Sequence, residues 1–160
     1  MLWLTVDSRA KLPPVSDLTI HGFGTLEGLL DLSPFVAKVE AYLRLAGVAY
    51  EKAPGNIRKA PRGKLPYLTH GDRTIADSAL ILDYLAEAGL ASLDAELSRE
   101  QGAELCALRS MLESDLYFLL LRLRWQNPQG WAAYRGPIGE SIRTTGVPGP
   151  ILPLVLRVVR

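Results

Sequence analysis

The chain has 160 residues, 48% of them hydrophobic and 22% charged, with 18 basic against 17 acidic side chains and a formal net charge of +1. Those proportions exclude a disordered tail, a collagen-like fibre and a disulfide scaffold, and they leave a globular protein long enough to bury one sizeable core. The near-neutral balance also lacks the basic face that nucleic-acid binding by counterion release requires.

In the opening residues 1–16, Asp7, Arg9, Lys11 and the Pro13–Pro14 pair interrupt the apolar residues too early for a secretory core. No run in the chain reaches the ~18 apolar residues of a membrane span. Asp17 to Gly24 is short, β-branched and apolar, and it ends in glycine, which predicts a buried strand. After a loop through Asp31, Ser33 precedes Pro34 and a helix is expected from there to Ala46. Its apolar face is Phe35, Val36, Val39, Tyr42, Leu43 and Ala46, with Lys38, Glu40 and Arg44 opposite. Ser33 suits the N-cap, Pro34 the first turn and Gly47 the position after the end.

Val48 to Lys52 is expected as a second strand, parallel to the first across the helix. The Pro-, Gly- and Arg-rich stretch 53–63 reads as loop with room for a short helix. Leu65 to Thr69 and Arg73 to Ala76 flank His70-Gly71-Asp72 and form a hairpin. A helix from Ser78 to Ala88 then buries Leu80, Ile81, Tyr84, Leu85 and Ala88, with Asp83 and Glu87 outward and Gly89 closing it.

Residues 90–97 read as a connector. Ser98 and Gln101 form a capping box, opening a long helix with Leu105, Leu108, Leu112, Leu116, Leu119, Leu120 and Leu123 on its apolar side, broken near Asn127-Pro128. From Gln126 to Arg160 clear periodicity is lost, and Gly146 to Pro150 reads as a flexible stretch.

Cys106 is the sole cysteine, so one chain can form neither a disulfide, a CxxC pair, a Cys-ligated zinc site nor an iron–sulfur cluster. That usage fits a reducing compartment, and the cytoplasm is the expected location. His21 and His70 stand far apart with no third ligand at metal-binding spacing, so no metal is expected. Gly22-Phe-Gly24-Thr-Leu-Glu-Gly28 approximates a dinucleotide fingerprint, but its last spacing is one residue too long and the helix starts at Pro34.

The β-α-β-β-β-α order, with Ser33-Pro34-Phe35-Val36 opening the first helix, Lys64-Leu65-Pro66-Tyr67 entering the third strand and Ala76-Asp77-Ser78 opening the next helix, resembles the thioredoxin-like N-terminal domain of the glutathione S-transferase superfamily. Within it, DLSPFVAKVEAYLRLAGVAYE, RKAPRGKLPYL, IADSALILDYL and ESDLYFLLLRLRWQNPQGW are most similar to the metaxin and failed-axon-connections branch. The resemblance covers roughly Asp17 to Tyr134. It implies an N-terminal extension over 1–16, an α/β thioredoxin-like domain over 17–89, a linker over 90–97 and a partial all-α domain over 98–160. In the family the helical domain continues beyond this length, so the chain is expected to be truncated and, with its leucines uncovered, to self-associate.

The resemblance also assigns roles. Glutathione would be the substrate, with no metal, and Ser33 the catalytic residue, its hydroxyl and the helix N-terminus favouring a thiolate that free thiols with a pKa of about 8.5 mostly lack. Phe35 and Leu65 would border the bound tripeptide. Pro66 matches the family's cis-proline, exposing the backbone before it to an extended ligand. Asp77 and Ser78 match the pair that grips the γ-glutamyl group, while Lys52 and Lys64 are placed to meet the glycyl carboxylate. Capping alone accounts for Ser33, Asp77 and Ser78, and a solvated surface accounts for either lysine. Where thiol–disulfide oxidoreductases of this fold carry cysteine, this chain has Ser33 and Val36, which excludes dithiol chemistry.

Arg122 and Arg124 read as a solvated or interfacial edge, and Trp125, Trp131 and Tyr134 as closing the core. The terminal Ile151 to Arg160 reads as the start of a helix. Two functions stay open: a glutathione transferase conjugating a hydrophobic electrophile, and a non-catalytic interaction module.

Overall fold

The computed structural model describes residues 17–25 and 28–144. The extension 1–16, the stretch from Gly146 to Pro150 and the terminal Ile151 to Arg160 lie outside them, as do Leu26 and Glu27 of the glycine-spaced motif.

Strand β1 (Leu18–Gly22) is followed by α1 (Pro34–Leu45), β2 (Glu51–Pro54), β3 (Tyr67–His70), β4 (Arg73–Ala76) and α2 (Ser78–Glu87). This is the β-α-β-β-β-α order of the sequence reading. The sheet runs β2-β1-β3-β4, with β1 parallel to β2 and antiparallel to β3, and β3 antiparallel to β4. Helices α1 and α2 contact each other, α1 resting on β1 and α2 on β3 and β4. Leu18, Ile20 and Leu68 from the sheet meet Val36, Val39 and Leu43 of α1 and Ile81 and Leu85 of α2, all with no exposed surface.

Helix α1 starts where its chemistry requires. Ser33 is extended (φ −88°, ψ 126°), its hydroxyl oxygen accepts from the Val36 amide, and Pro34 follows. Two of its expected faces differ. Glu40, assigned outward by its charge, is 1% exposed, because Lys52 and Tyr50 lie over it from β2 and the segment before it. Phe35 is half-buried, directed toward the long helix instead of the central core.

In α2 the buried face is Ser78, Ile81, Leu82 and Leu85. Leu80, expected inside, is 42% exposed, and Ala88 is also exposed. The helix rests on the sheet through a stripe one residue removed from the expected one. Strand β2 begins at Glu51 and β3 at Tyr67, each later than its hydrophobic run, because β1 pairs with each of them over four residues only. Residues 56–63 form hydrogen-bonded turns and no helix, with Lys59 and Ala60 amides donating to the Asn56 carbonyl.

Beyond turns at 93–96, the Ser98–Gln101 capping box is formed and opens α3 (Arg99–Met111). The helix continues through a π turn (Leu112–Leu116), α4 (Tyr117–Leu121) and a second π turn (Arg122–Gln126). It docks on α1 by the Lys38–Glu113 ion pair at 2.7 Å and the Phe35–Tyr117 ring contact at 4.9 Å. Its leucines face elsewhere: Leu108, Leu112, Leu116, Leu119 and Leu123 are each about half exposed.

A 17-residue helix, α5 (Pro128–Thr144), follows, where the sequence shows no clear period. Asn127 supplies the start, its side-chain oxygen accepting from the Gln129 and Gly130 amides, both at 3.0 Å. Gly130, Gly136 and Pro137 dilute the pattern, yet Ile138 and Ile142 pack on Leu32 in a second small core beside Trp125 and Tyr134. No helix among the described residues is long and apolar enough to cross a membrane.

Two measurements check this packing. Leu85→Ala is expected to lower unfolding free energy by about 2–5 kcal/mol, and Leu80→Ala by under about 1 kcal/mol, in urea titrations. His21, stacked on Tyr67 at 4.1 Å, is held below the ordinary histidine value of 6.5 by burial, against an opposing pull from the Pro54 backbone. The unfolded chain therefore takes up this proton first, and stability falls as pH drops below about 6.5. His21→Gln flattens that part of the stability profile.

Candidate functional site

Three chain turns meet at one end of the sheet. Strand β1 leaves it at Gly22, β3 enters at Tyr67 opposite His21, and β4 leaves at Ala76 opposite Tyr67. The start of α1 at Ser33, the Leu65–Pro66 segment and the start of α2 at Asp77 and Ser78 are thereby brought to a single edge. Two helix N-termini there offer unpaired amides and positive dipole ends to an anion.

Gly22 is what lets the first turn close. A side-chain carbon there would lie 2.6 Å from Asp31 Oδ2 and 2.8 Å from Val36 Cγ1. The glycine serves this approach and not a nucleotide pyrophosphate. Asp31, 3% exposed, organises the loop: Oδ1 accepts from the Ser33 amide at 2.8 Å and from Phe23 at 3.4 Å, and Oδ2 accepts from Gly24 at 3.0 Å. Ser33 is thus held by its own backbone amide while its hydroxyl oxygen accepts from Val36 at 3.4 Å. The hydroxyl proton stays available to an acceptor in front of the helix.

Lys52, read from sequence as a carboxylate ligand or a solvated lysine, lies against this loop with its side chain 21% exposed. Its ammonium donates to Glu40 Oε1 and to the Leu30 carbonyl, both at 2.5 Å, and forms an ion pair with Asp31 Oδ2 at 3.0 Å. Tyr50 donates to Glu40 at 2.9 Å and accepts from Arg44 at 3.0 Å. Burial lifts the Tyr50 phenol above its usual 10.0.

Across the edge, Leu65 and Pro66 are buried and joined by a cis peptide bond. The Pro66 carbonyl accepts from the Asp77 amide at 3.3 Å, tying this segment to the start of α2. Asp77 has φ 74°, the sole non-glycine with positive φ among the described residues, and its side chain caps Ala79 at 2.9 Å. A carboxylate residue in that region is locally costly and is kept only where its surroundings enforce it. Ser78 is 5% exposed in the first turn. Lys64 stands on the exposed loop one residue before Leu65, and Arg62 approaches Asp77 at 4.0 Å.

The far wall comes from the helices. Arg124 donates to the Leu32 carbonyl at 2.8 Å and lies over the Tyr134 ring, whose hydroxyl donates to the same carbonyl at 3.5 Å. Burial keeps Tyr134 above 10.0 despite the Arg124 cation, so it remains a neutral donor. Ser141 donates to the Phe23 carbonyl. Sequence does not mark Asp31, Glu40 or Tyr50 as site residues and reads Tyr134 only as closing the core, since each becomes significant through a distant partner. The Asp31-x-Ser33 spacing before Pro34 was the one local signal. No cluster of three metal-ligating side chains occurs among the described residues.

A mixed four-stranded sheet in this order, with both helices packed on it and a cis-proline facing a helix N-terminus, defines a thioredoxin-like domain followed by helices. The chain belongs to the glutathione S-transferase N-terminal domain family, whose model matches residues 34–130. It is 35% identical over 123 residues to isoprene-epoxide glutathione S-transferase of Rhodococcus sp. (strain AD45), covering 73% of this chain and 52% of that one. It is 30% identical over 136 residues to Failed axon connections of Drosophila melanogaster, covering 77% of this chain and 32% of that one. It therefore spans about half of the first relative and a third of the second. Glutathione transferase F7 from Populus trichocarpa shares the fold, with a TM-score of 0.53 and 18% identity over 86% of this chain and 68% of that one.

Gly22→Ala tests the turn directly. Forcing a methyl between Asp31 and Val36 is expected to cost about 1–3 kcal/mol in chemical denaturation.

Proposed function

We propose that this chain binds glutathione along the sheet edge and presents its thiolate at Ser33 for attack on a small apolar electrophile. The observation that carries the reading is the convergence of two helix N-termini, at Ser33 and at Asp77–Ser78, with the Leu65–Pro66 segment between them. Glutathione has an ammonium, two carboxylates, a peptide backbone and a thiol, and the edge offers a group for each. Asp77 takes the ammonium and the Ser78 amide the γ-glutamyl carboxylate. The Leu65 backbone pairs with the cysteinyl unit as an added strand. Lys64 meets the glycyl carboxylate, and Phe35 flanks the sulfur.

Ser33 donates its hydroxyl hydrogen bond to the sulfur, and the α1 N-terminus adds favourable potential, so the anion forms near neutral pH. The similarity to an isoprene-epoxide glutathione S-transferase supports an epoxide as the electrophile. A C–S bond then forms as the C–O bond breaks, and the alkoxide takes a proton from water. Location in the cytoplasm, from the single cysteine, belongs to the same proposal.

A second reading, an interaction module without turnover, is favoured by the exposed leucine row of the long helix and by the similarity to Failed axon connections. Glutathione calorimetry followed by conjugation of an epoxide separates the two. The transferase reading expects binding, and Ser33→Ala is expected to lower kcat/KM about 100-fold with glutathione affinity little changed. Absence of glutathione binding leaves the interaction module.

A further inference from the structure

Asp31 creates an electrostatic difficulty for the edge it organises. A buried carboxylate accepting the Ser33 amide at 2.8 Å stands directly behind the point where an anion is to be held. Like charges at such a distance disfavour the charged form of the second group. The hydrogen bonds that fix Ser33 therefore oppose the task assigned to it, unless the charge is compensated. Lys52 supplies the compensation at 3.0 Å, but Glu40, also buried, shares the same ammonium at 2.5 Å. The balance between the two carboxylates and the one lysine sets the potential in front of Ser33.

We propose that Lys52 is a positioning residue for thiolate formation: it neutralises Asp31 so that the loop can be anchored by a carboxylate without repelling the sulfur anion, and Glu40 sets how much of that cation reaches the loop. The proposal rests on glutathione binding at this edge and goes beyond it by assigning the charge control to residues that touch no ligand. Lys52 acts through Asp31 and through the Leu30 carbonyl, which it also holds.

The other charged and titratable groups facing the loop are accounted for. Arg44 reaches Glu40 only at 3.8 Å and binds it through Tyr50. Arg124 and Tyr134 approach from the helices through the Leu32 carbonyl, and Lys38 is paired with Glu113. His21 bonds Thr69 through Nε2 at 3.1 Å. None of these groups is hydrogen-bonded or ion-paired to Asp31, whose partners are Phe23, Gly24, Ser33 and Lys52.

The test is a pH titration of bound glutathione, following the ultraviolet absorbance of its thiolate in the full chain. In the wild type the bound thiol is expected to titrate below the free thiol. Lys52→Met leaves Asp31 uncompensated and is expected to move the midpoint up by about one pH unit. Asp31→Asn keeps an acceptor for the Ser33 amide but removes the charge, and it is expected to move the midpoint down. Lys52→Arg, which keeps the cation, should restore a midpoint near the wild type. Opposite shifts support the proposal, because mere loosening of the loop would move both variants the same way. If Lys52→Met does not fold, Asp31→Asn and Glu40→Gln carry the test: each is expected to shift the midpoint down, away from the free thiol, whereas a loosened loop would shift both up toward it. Equal midpoints in the wild type and every folded variant overturn the proposal and leave glutathione binding standing. Failure of the wild type to hold glutathione overturns both.

Discussion

The ammonium of Lys52 is the tie between sheet and loop on which the arrangement of the edge depends. It reaches from β2 to a carboxylate and a carbonyl of the 23–33 loop and to a carboxylate of α1, tying three pieces of chain together. Buried ions are costly to desolvate, and removing one member of such a set is worse than never having built it. Loss of Lys52 would leave two buried carboxylates facing each other. The loop would then have to open to water, and with it the start of α1. Apolar contacts hold the helices on the sheet; charge holds the loop that gives α1 its starting point.

Among the described residues, those up to 89 and those from 90 to 144 are built differently. In the former, eight aliphatic side chains have no exposed surface, and Glu40 and Asp31 are buried as well. In the latter, the long helix touches α1 through one ion pair and one aromatic contact, while Leu32, Ile138 and Ile142 form a core of three. The half-exposed leucines belong to a helix whose apolar face lies away from its own α/β domain. Element order, strand polarity and helix caps of the α/β part follow from short-range chemistry, and there sequence and structure agree. The caps at Ser33 and Ser98 depend on residues within three positions, so they are legible.

What sequence could not supply was any feature created by a partner far along the chain. Glu40 reads as outward because a charge on a helix normally meets water, and its partner Lys52 is a turn and a strand away. Leu80 fits the apolar period of α2, but the angle at which that helix meets the sheet selects Leu82 instead. Helix α5 escaped because two glycines and a proline obscure its period, though Asn127 marks its start as a sidechain cap. At the edge itself, Ser33, Pro66 and Asp77 are named by resemblance, while Asp31, which holds the Ser33 amide, is not. Its role lies in four interactions, two of them with residues on the other side of the loop.

The shared carbonyl of Leu32 has a consequence for observation. Tyr134 donates to it, and Tyr134 stands edge-on to Trp125 at 5.3 Å, with Trp131 5.6 Å from Trp125. The next residue along the chain is Ser33. An indole pair is therefore coupled, through one phenol and one peptide, to the backbone at the head of α1. Movement of that backbone alters the surroundings of a native fluorophore, and the molecule carries its own optical gauge of the loop without any dye attached.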